Sequence, residues 1–307
     1  MRISAVIPCY NAERWIDDCL ASVFKQTRPP DEVIVVDDGS TDASRERVAS
    51  HNAEIRLLRT NRANAAGARN AGIGAATGDF IAFLDSDDYW HPHHLEVAEA
   101  ALRESADVAY LAHNDQVRFR DGVGEPVERS TGSPFDSLTS GITDRAFFSW
   151  FSRARWFFPG SLVARRDRLC EIGGFDVTQV RRHDFEMFLR LIADRTWTYN
   201  PRAGTVYRLM INPGAISGHE SETHYFASRA LIKLEPHYGG AEFDRVLCYH
   251  RRALFRSLVR KPNRTLRDRS WRMLAGRLKM PTRIAYRLAF VVGPILRAAH
   301  GVVSRDR

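Results

Sequence analysis

Three short runs of apolar residues set the limits on how this chain can fold. Ile3–Ile7, Glu32–Val36 and Asp79–Leu84 are almost continuously apolar, without the in-and-out alternation of a strand that has one wet face. Each therefore reads as a strand buried on both sides. Helical spacing fills the intervals. Trp15, Ile16, Cys19, Leu20 and Val23 give an apolar face to Ala12–Gln26, which Pro29-Pro30 closes. Ala43–His51 reads as a second helix with Ser40 or Thr41 placed to cap it, and Ala65–Ala76 as a small-residue helix. Ile55–Arg59 adds a weaker strand. Apolar strands alternating with helices predict an α/β fold, a mostly parallel Rossmann-like sheet with helices on both faces.

In such sheets ligands sit beyond the carboxyl ends of the strands. Here those ends carry Pro8-Cys9-Tyr10-Asn11, Asp37-Asp38-Gly39-Ser40 and Asp85-Ser86-Asp87-Asp88, so the polar chemistry gathers on one rim. Three carboxylates within four residues repel one another and are costly beside a core unless a cation offsets them. An Asp-x-Asp at a buried strand end offers hard oxygens to Mg²⁺ or Mn²⁺, which bind through one or two carboxylates plus substrate phosphates. The plainer alternative is a solvated turn that caps the next helix, and Asp88 is read that way. His91, His93 and His94 sit where that helix begins. Imidazole is not the natural ligand for a phosphate-bound Mg²⁺, so all three are read as surface residues. Gly72-Ile73-Gly74 through Gly78 has the look of a dinucleotide loop, but it precedes a strand instead of following one.

Further along, residues 92–112 read as a helix and a strand at Val108–Leu111. Gly and Pro are frequent in 113–145, which reads as loop, and an aromatic-rich stretch runs from Phe147 to Phe158. Next come a strand at Ser161–Ala164, a helix at Arg166–Ile172, a turn at Gly173-Gly174-Phe175-Asp176 and an amphipathic helix at Asp184–Ala193. Strands at Thr196–Tyr199 and, on an edge, Val206–Leu209 complete this part. Beyond Ser221 the pattern is helical. The expected division is 1–112, 113–225 and a helical, basic extension at 226–307.

The ordered set Val6-Ile7-Pro8-Cys9-Tyr10-Asn11, Val35–Asp42, Gly67-Ala68-Arg69-Asn70-Ala71-Gly72, Phe83–Asp88, Gly173–Asp176 and His183-Asp184 resembles the inverting family 2 glycosyltransferases of GT-A fold over about residues 1–220. The resemblance implies a sugar moved from a nucleoside-diphosphate sugar, UDP-sugar favoured, to a saccharide or lipid-linked acceptor in cell-surface polysaccharide or glycolipid synthesis. It implies nucleotide-sugar binding by Pro8, Tyr10, Asn11, Asp38, Arg69, Asp85 and Ser86. Among these, Tyr10 would stack on the base, Asp38 accept its ring N–H, Arg69 hold the nucleotide and Asp85 lie near the ribose. Asp87 would bind Mn²⁺ or Mg²⁺ across the diphosphate, and Asp184 would be the general base that a weakly nucleophilic sugar hydroxyl needs. Two positions depart from the family. His183 stands where Glu is usual, and Met210 ends a Tyr207-Arg208-Leu209-Met210 stretch where His is usual. A nucleotidyltransferase would want a Gly-rich, Lys/Arg-bearing loop near the start, which Pro8–Asn11 lacks. A non-catalytic, membrane-docked nucleotide-binding module would lack the base or the Asp-x-Asp.

Charge divides the chain unevenly. Residues 245–307 hold 17 Lys and Arg against 2 Asp and Glu, a balance of +15, while the preceding 244 residues carry 28 against 35. No nucleic-acid-binding signature accompanies the basic tail. The apolar stretch Ile284–Val303 is interrupted by Arg287, Arg297 and Gly293-Pro294, which suits an interfacial helix on anionic lipid better than a span. The start lacks a long apolar secretory segment, and four scattered cysteines suit a reducing compartment. The expectation is a cytoplasmic protein peripheral to the inner face of the cell membrane.

Overall fold

The computed structural model describes residues 1–51, 54–61, 63–120, 123–126, 137–148, 159–209, 220–260 and 264–274. The three apolar runs form strands β1 (Ile3–Cys9), β2 (Glu32–Asp37) and β4 (Phe80–Phe83), and β1 and β4 are buried along their whole length. With β3 (Arg56–Arg59) they make a parallel block in the order β3-β2-β1-β4. Helix α1 (Ile16–Phe24) covers one face, where Ile16, Cys19, Leu20 and Val23 meet Ile3, Ala5 and Ile7 of β1 in a single apolar cluster. Helix α3 (Asn64–Ala75) lies against Val6 on the other face; a Cβ added at Gly72 would sit 2.3 Å from Val6 Cγ1. Small residues let this helix approach the sheet closely enough to bury Arg69 at the strand ends.

Element ends depart from expectation where side chains take over backbone partners. Residues before Ile16 form a turn, not the start of α1, because Ala12 N donates to Ser44 Oγ (2.7 Å) and Glu13 N to Asp42 Oδ2 (3.1 Å). Neither Ser40 nor Thr41 caps α2 (Ser44–Ala49). Asp42 Oδ1 accepts from Ser44 N instead (3.0 Å), while Ser40 and Thr41 are held by Asn11.

The sheet then becomes mixed. Strand β5 (Tyr89–Trp90) and helix α4 (His94–Arg103) lead to β6 (Ala109–Arg120), β7 (Val123–Pro126) and β8 (Thr139–Thr143). The expected strand at Val108–Leu111 is the start of β6, and the rest of β6 together with β7 and β8 occupies a region read as loop. Their polar sequences, such as His113-Asn114-Asp115-Gln116, lack an apolar signature because pairing holds them more than burial does. Strand β9 (Leu162–Arg165) runs antiparallel to both β4 and β6. Helices α5 (Arg166–Glu171) and α6 (His183–Ile192) follow, then β10 (Thr196–Leu209). The two expected strands at 196–199 and 206–209 are one strand. Register shifts between Asn200 and Thr205 absorb Pro201, and β10 lies inside the sheet between β6 and the antiparallel β5 and β8.

Two compact units divide after Ala215, so the expected division after 112 falls within β6 and that after 225 within a helix. The second unit contains α7 (Glu220–Leu234), α8 (Ala241–Arg260) and α9 (Arg264–Leu274), with Leu254, Leu258, Leu266 and Leu274 in its core. The Ile284–Val303 stretch and Met210 lie outside the described residues. Among those described, no helix is long and apolar enough to cross a membrane.

Candidate active site

The ends of β1 and β2 are tied together before any ligand arrives. Asn11, in the left-handed region at φ 50°, donates its N–H to Ser40 Oγ (3.0 Å) and accepts from Thr41 N at Oδ1 (2.9 Å). Asp37 Oδ1 accepts from Ser40 N (3.1 Å). Asp38 is buried, and its Oδ1 accepts from Thr60 Oγ1 and Ala63 N, both at 2.7 Å, which fixes the entry to α3. Pro8 is buried inside β1, opposite Val36. Tyr10, at 49% exposure, presents its ring from this braced loop.

The turn after β4 concentrates charge. Asp88 N donates to Asp85 O (3.0 Å), and Cys19 Sγ reaches the same carbonyl from α1 at 3.6 Å. Ser86 is buried. Arg69, 3% exposed on α3, donates through Nη2 to Asp85 Oδ1 and through Nη1 to His183 Nε2 at 2.8 Å. Asp88 is not the solvated capping residue expected from sequence. It is 2% exposed and accepts from Arg208 N at 2.8 Å. The Arg208 side chain pairs with Asp18 (2.9 Å) and has its guanidinium 4.8 Å from the Trp15 ring centre and 5.0 Å from that of Tyr89. Sequence reasoning missed the use of Arg208 and Asp18, which are 190 positions apart.

Burial, reinforced by the Asp85 charge, pushes the Asp87 carboxyl up to about 6. Burial, then Asp87 and Asp85, holds Asp88 well above the carboxylate range. Even with Arg69 and Arg208 nearby, the turn is short of positive charge. An oxygen-only donor set with that deficit fits a hard divalent cation such as Mg²⁺ or Mn²⁺.

Across the rim, Asp184 lies in the first turn of α6, half-buried, after Arg182 in the left-handed region at φ 57°. The helix is anchored from below by Arg190, which bonds Glu186, Ile172 O and Gly174 O. Asn70 of α3 clasps the preceding turn, donating to Phe175 O (2.9 Å) and accepting from Phe175 N (2.7 Å). Hydrogen bonds thus join Asp85, Arg69 and His183, while Asn11 is held by Ser40 and Thr41, and Asp38 by Thr60 and Ala63. The three histidines of 91–94 are not alike. His93 is exposed and His91 pairs with Asp115 (3.0 Å), but His94 is 2% exposed beneath β10. Its place was legible in the four-residue spacing of His94, Ala98 and Leu102, the buried face of α4.

A parallel strand block with carboxylates at the strand ends, continued by a mixed sheet, is the architecture of GT-A, Rossmann-like proteins. Residues 4–155 match the model for Glycosyl transferase family 2, and the chain belongs to that family. It is 36% identical over 190 residues to the uncharacterized glycosyltransferase alr2836 of Nostoc sp., covering 59% of this chain and 56% of that protein. Over 117 residues it is 45% identical to WfgD of Escherichia coli, a UDP-Glc:alpha-D-GlcNAc-diphosphoundecaprenol beta-1,3-glucosyltransferase, covering 38% of this chain and 46% of that one. The chain spans from a third to just over half of the length of the first curated relatives it matches. In fold it resembles S. aureus TarS 1–349, solved in complex with UDP-GlcNAc, with a TM-score of 0.59 and 21% identity over 95% of this chain and 81% of that one.

Proposed function

We propose that the protein transfers a sugar from a nucleoside-diphosphate sugar, a UDP-sugar in the first instance, to a saccharide or lipid-linked acceptor, with inversion and with a divalent metal. The observation that carries the reading is the Arg69–Asp85 pair beside the charge-starved Asp87 and Asp88, on the rim that also bears Tyr10 and Asp38. WfgD's UDP-glucose donor and diphospholipid acceptor, and the UDP-GlcNAc bound by TarS, support the choice of substrates.

In this reading the exposed Tyr10 ring stacks on the base. Asp38 accepts a base N–H through Oδ2, since Thr60 and Ala63 already engage Oδ1. Pro8, Asn11 and Ser86 shape the walls, Asp85 faces the ribose, and Arg69 lies against the diphosphate. Asp87 holds Mg²⁺ or Mn²⁺, which when bound supplies counter-charge to the departing nucleoside diphosphate. Asp184 accepts the proton of the acceptor hydroxyl as its oxygen bonds to the anomeric carbon. The bond from that carbon to the diphosphate oxygen breaks on the opposite face and its electron pair leaves with the diphosphate. In-line displacement inverts the centre. The division of labour proposed is 1–112 for the donor, 113–225 for the acceptor and base, and 226–307 for docking a cytoplasmic, peripheral protein on an anionic membrane.

Calorimetry with UDP-, GDP- and dTDP-sugars, with and without Mn²⁺, tests the donor, and product NMR tests the inversion. Binding of none of them sinks the reading; a retained anomeric configuration sinks the mechanism. Vesicle flotation of the full chain and of a chain ending at residue 261 tests the tail. Recovery of the full chain in the unbound fraction, with anionic vesicles as with neutral ones, rules docking out.

A further inference from the structure

His183 occupies the one position of the His183-Asp184 pair where the chain departs from the resembling family, and its surroundings give it a defined task. Its Nε2 lies 2.8 Å from Arg69 Nη1. A guanidinium has donors only and keeps its charge, so the nitrogen facing it must be an unprotonated acceptor. The ring proton then belongs on Nδ1, where a hydrogen bond to the Gln179 backbone receives it. Burial and the positive charge of Arg69 both hold the imidazole below its ordinary value, which agrees with a neutral ring. Phe175 closes the arrangement, its ring centre 5.9 Å from that of His183 and 5.5 Å from the Arg69 guanidinium carbon. Gln179 is itself 1% exposed, so the ring is anchored to the core at its far end.

We propose that His183 is a positioning residue for the donor diphosphate: a neutral latch that holds Arg69 against Asp85 without drawing on its charge. A carboxylate in the same place would also accept from Arg69. It would, however, add a negative charge to a rim that already holds Asp85, Asp87 and Asp88, and Arg69 would face two carboxylates before meeting a phosphate. With imidazole, the Arg69–Asp85 pair is balanced and the cation's remaining donors serve the ligand. The inference rests on the nucleoside-diphosphate reading above for the identity of that ligand, while the latch itself rests only on the hydrogen bonds.

The test has two parts on the full chain. ¹⁵N-edited spectra of histidine-labelled protein at pH 7.5 should show one neutral imidazole protonated at Nδ1 that disappears in His183→Gln. A charged His183, or one protonated at Nε2, overturns the latch. UDP titrations without metal then compare three variants. His183→Gln keeps an uncharged acceptor and should bind within about threefold of the parent. His183→Glu keeps an acceptor of similar size but adds charge, and should weaken UDP by about tenfold. His183→Leu removes the acceptor and should also lose about tenfold. Glu binding as tightly as the parent overturns the role assigned to neutrality, and Gln as weak as Leu overturns the role assigned to the acceptor. Should Leu fail to fold, the Gln and Glu pair, matched in size, still decides. If the parent binds none of UDP, GDP and dTDP with Mn²⁺ or without it, the proposed function fails, and the spectra decide the latch independently.

Discussion

The two halves of the sheet solve different problems. In the parallel half, β1, β2 and β4 are short and apolar, and each is followed at once by the residues of the rim. The loops there are fastened by their own side chains: Asn11 to Ser40 and Thr41, Asp38 to Thr60 and Ala63. In the mixed half, β6 and β10 have 12 and 14 residues, with register shifts in the pair. Its polar groups act across long separations: Arg208 N reaches Asp88 over 120 positions, and Asp107 on the way into β6 reaches Thr198 over 91. The turns of the parallel half, with Asp184 on α6, carry charge to the rim, and the long strands of the mixed half hold it in shape. Substitutions should separate the two tasks, affecting chemistry in the first case and stability in the second.

The largest effect is expected on the charged side. Asp87→Ala should abolish transfer and metal-dependent nucleotide binding while leaving the unfolding midpoint unchanged or raised, because a half-buried carboxylate crowded by Asp85 is removed. Normal metal-dependent turnover by this variant would remove Asp87 from the metal site. Asp184→Asn keeps the shape of the first turn of α6 and loses the base, so kcat should fall by roughly 10²–10⁴ with nucleotide affinity nearly unchanged. An equal loss of nucleotide binding would move Asp184 to the donor side.

The same contrast explains what could be read beforehand. Strand–helix alternation, the parallel block and the carboxylate rim follow from runs of neighbouring residues, because apolar strands and the loops after them are contiguous. His183 could be noticed only as a departure, since its partner Arg69 lies 114 positions away. Only the start of β6 was foreseen; the rest of it, with β7 and β8, was hidden because their residues alternate poorly and owe their conformation to partner strands, β10 for β6 and β8, and β6 for β7. Asp88 was misread for a related reason. Nothing next to it in sequence says that Arg208 N and a buried wall will enclose it.

A purely structural carboxylate should behave in the opposite way to Asp87. Asp107 is 2% exposed and accepts from Thr196 Oγ1 (2.5 Å), Thr198 Oγ1 (2.5 Å) and Gly141 N (3.0 Å), so one side chain fastens β6, β8 and β10 together. Asp107→Ala strands three donors and should cost about 3 kcal/mol of stability, with nucleotide affinity changed by less than about threefold in the folded protein. Urea unfolding and UDP titration on the same samples check both numbers. If UDP affinity collapses while stability holds, the two halves are not separable in this way.

The smallest expected effect concerns His94, which the mixed half buries without giving either ring nitrogen a hydrogen-bond partner among the described residues. The ring lies 5.3 Å from Trp90 and 5.9 Å from Tyr110, and its Nδ1 fills the space that a Cβ on Gly204 would need, 2.3 Å away. Burial, with His91 adding to it, pushes its pKa from 6.5 down to about 3. Between those values the unfolded chain binds a proton that the folded one does not, so stability is complete above pH 6.5 and is lost as pH falls toward 3. From pH 7.5 to 5 the loss integrates to about 2 kcal/mol, most of it below pH 6.5, where the slope approaches 1.36 kcal/mol per pH unit. His94→Leu carries no proton in either state. Whatever its offset at neutral pH from altered packing, its stability should fall by about 2 kcal/mol less than the parent's over that interval. Urea unfolding of both proteins at pH 7.5, 6.5 and 5.0 measures the difference. Parallel decline in the two would mean that His94 is protonated in the folded state, and that the mixed half gives it a polar partner after all.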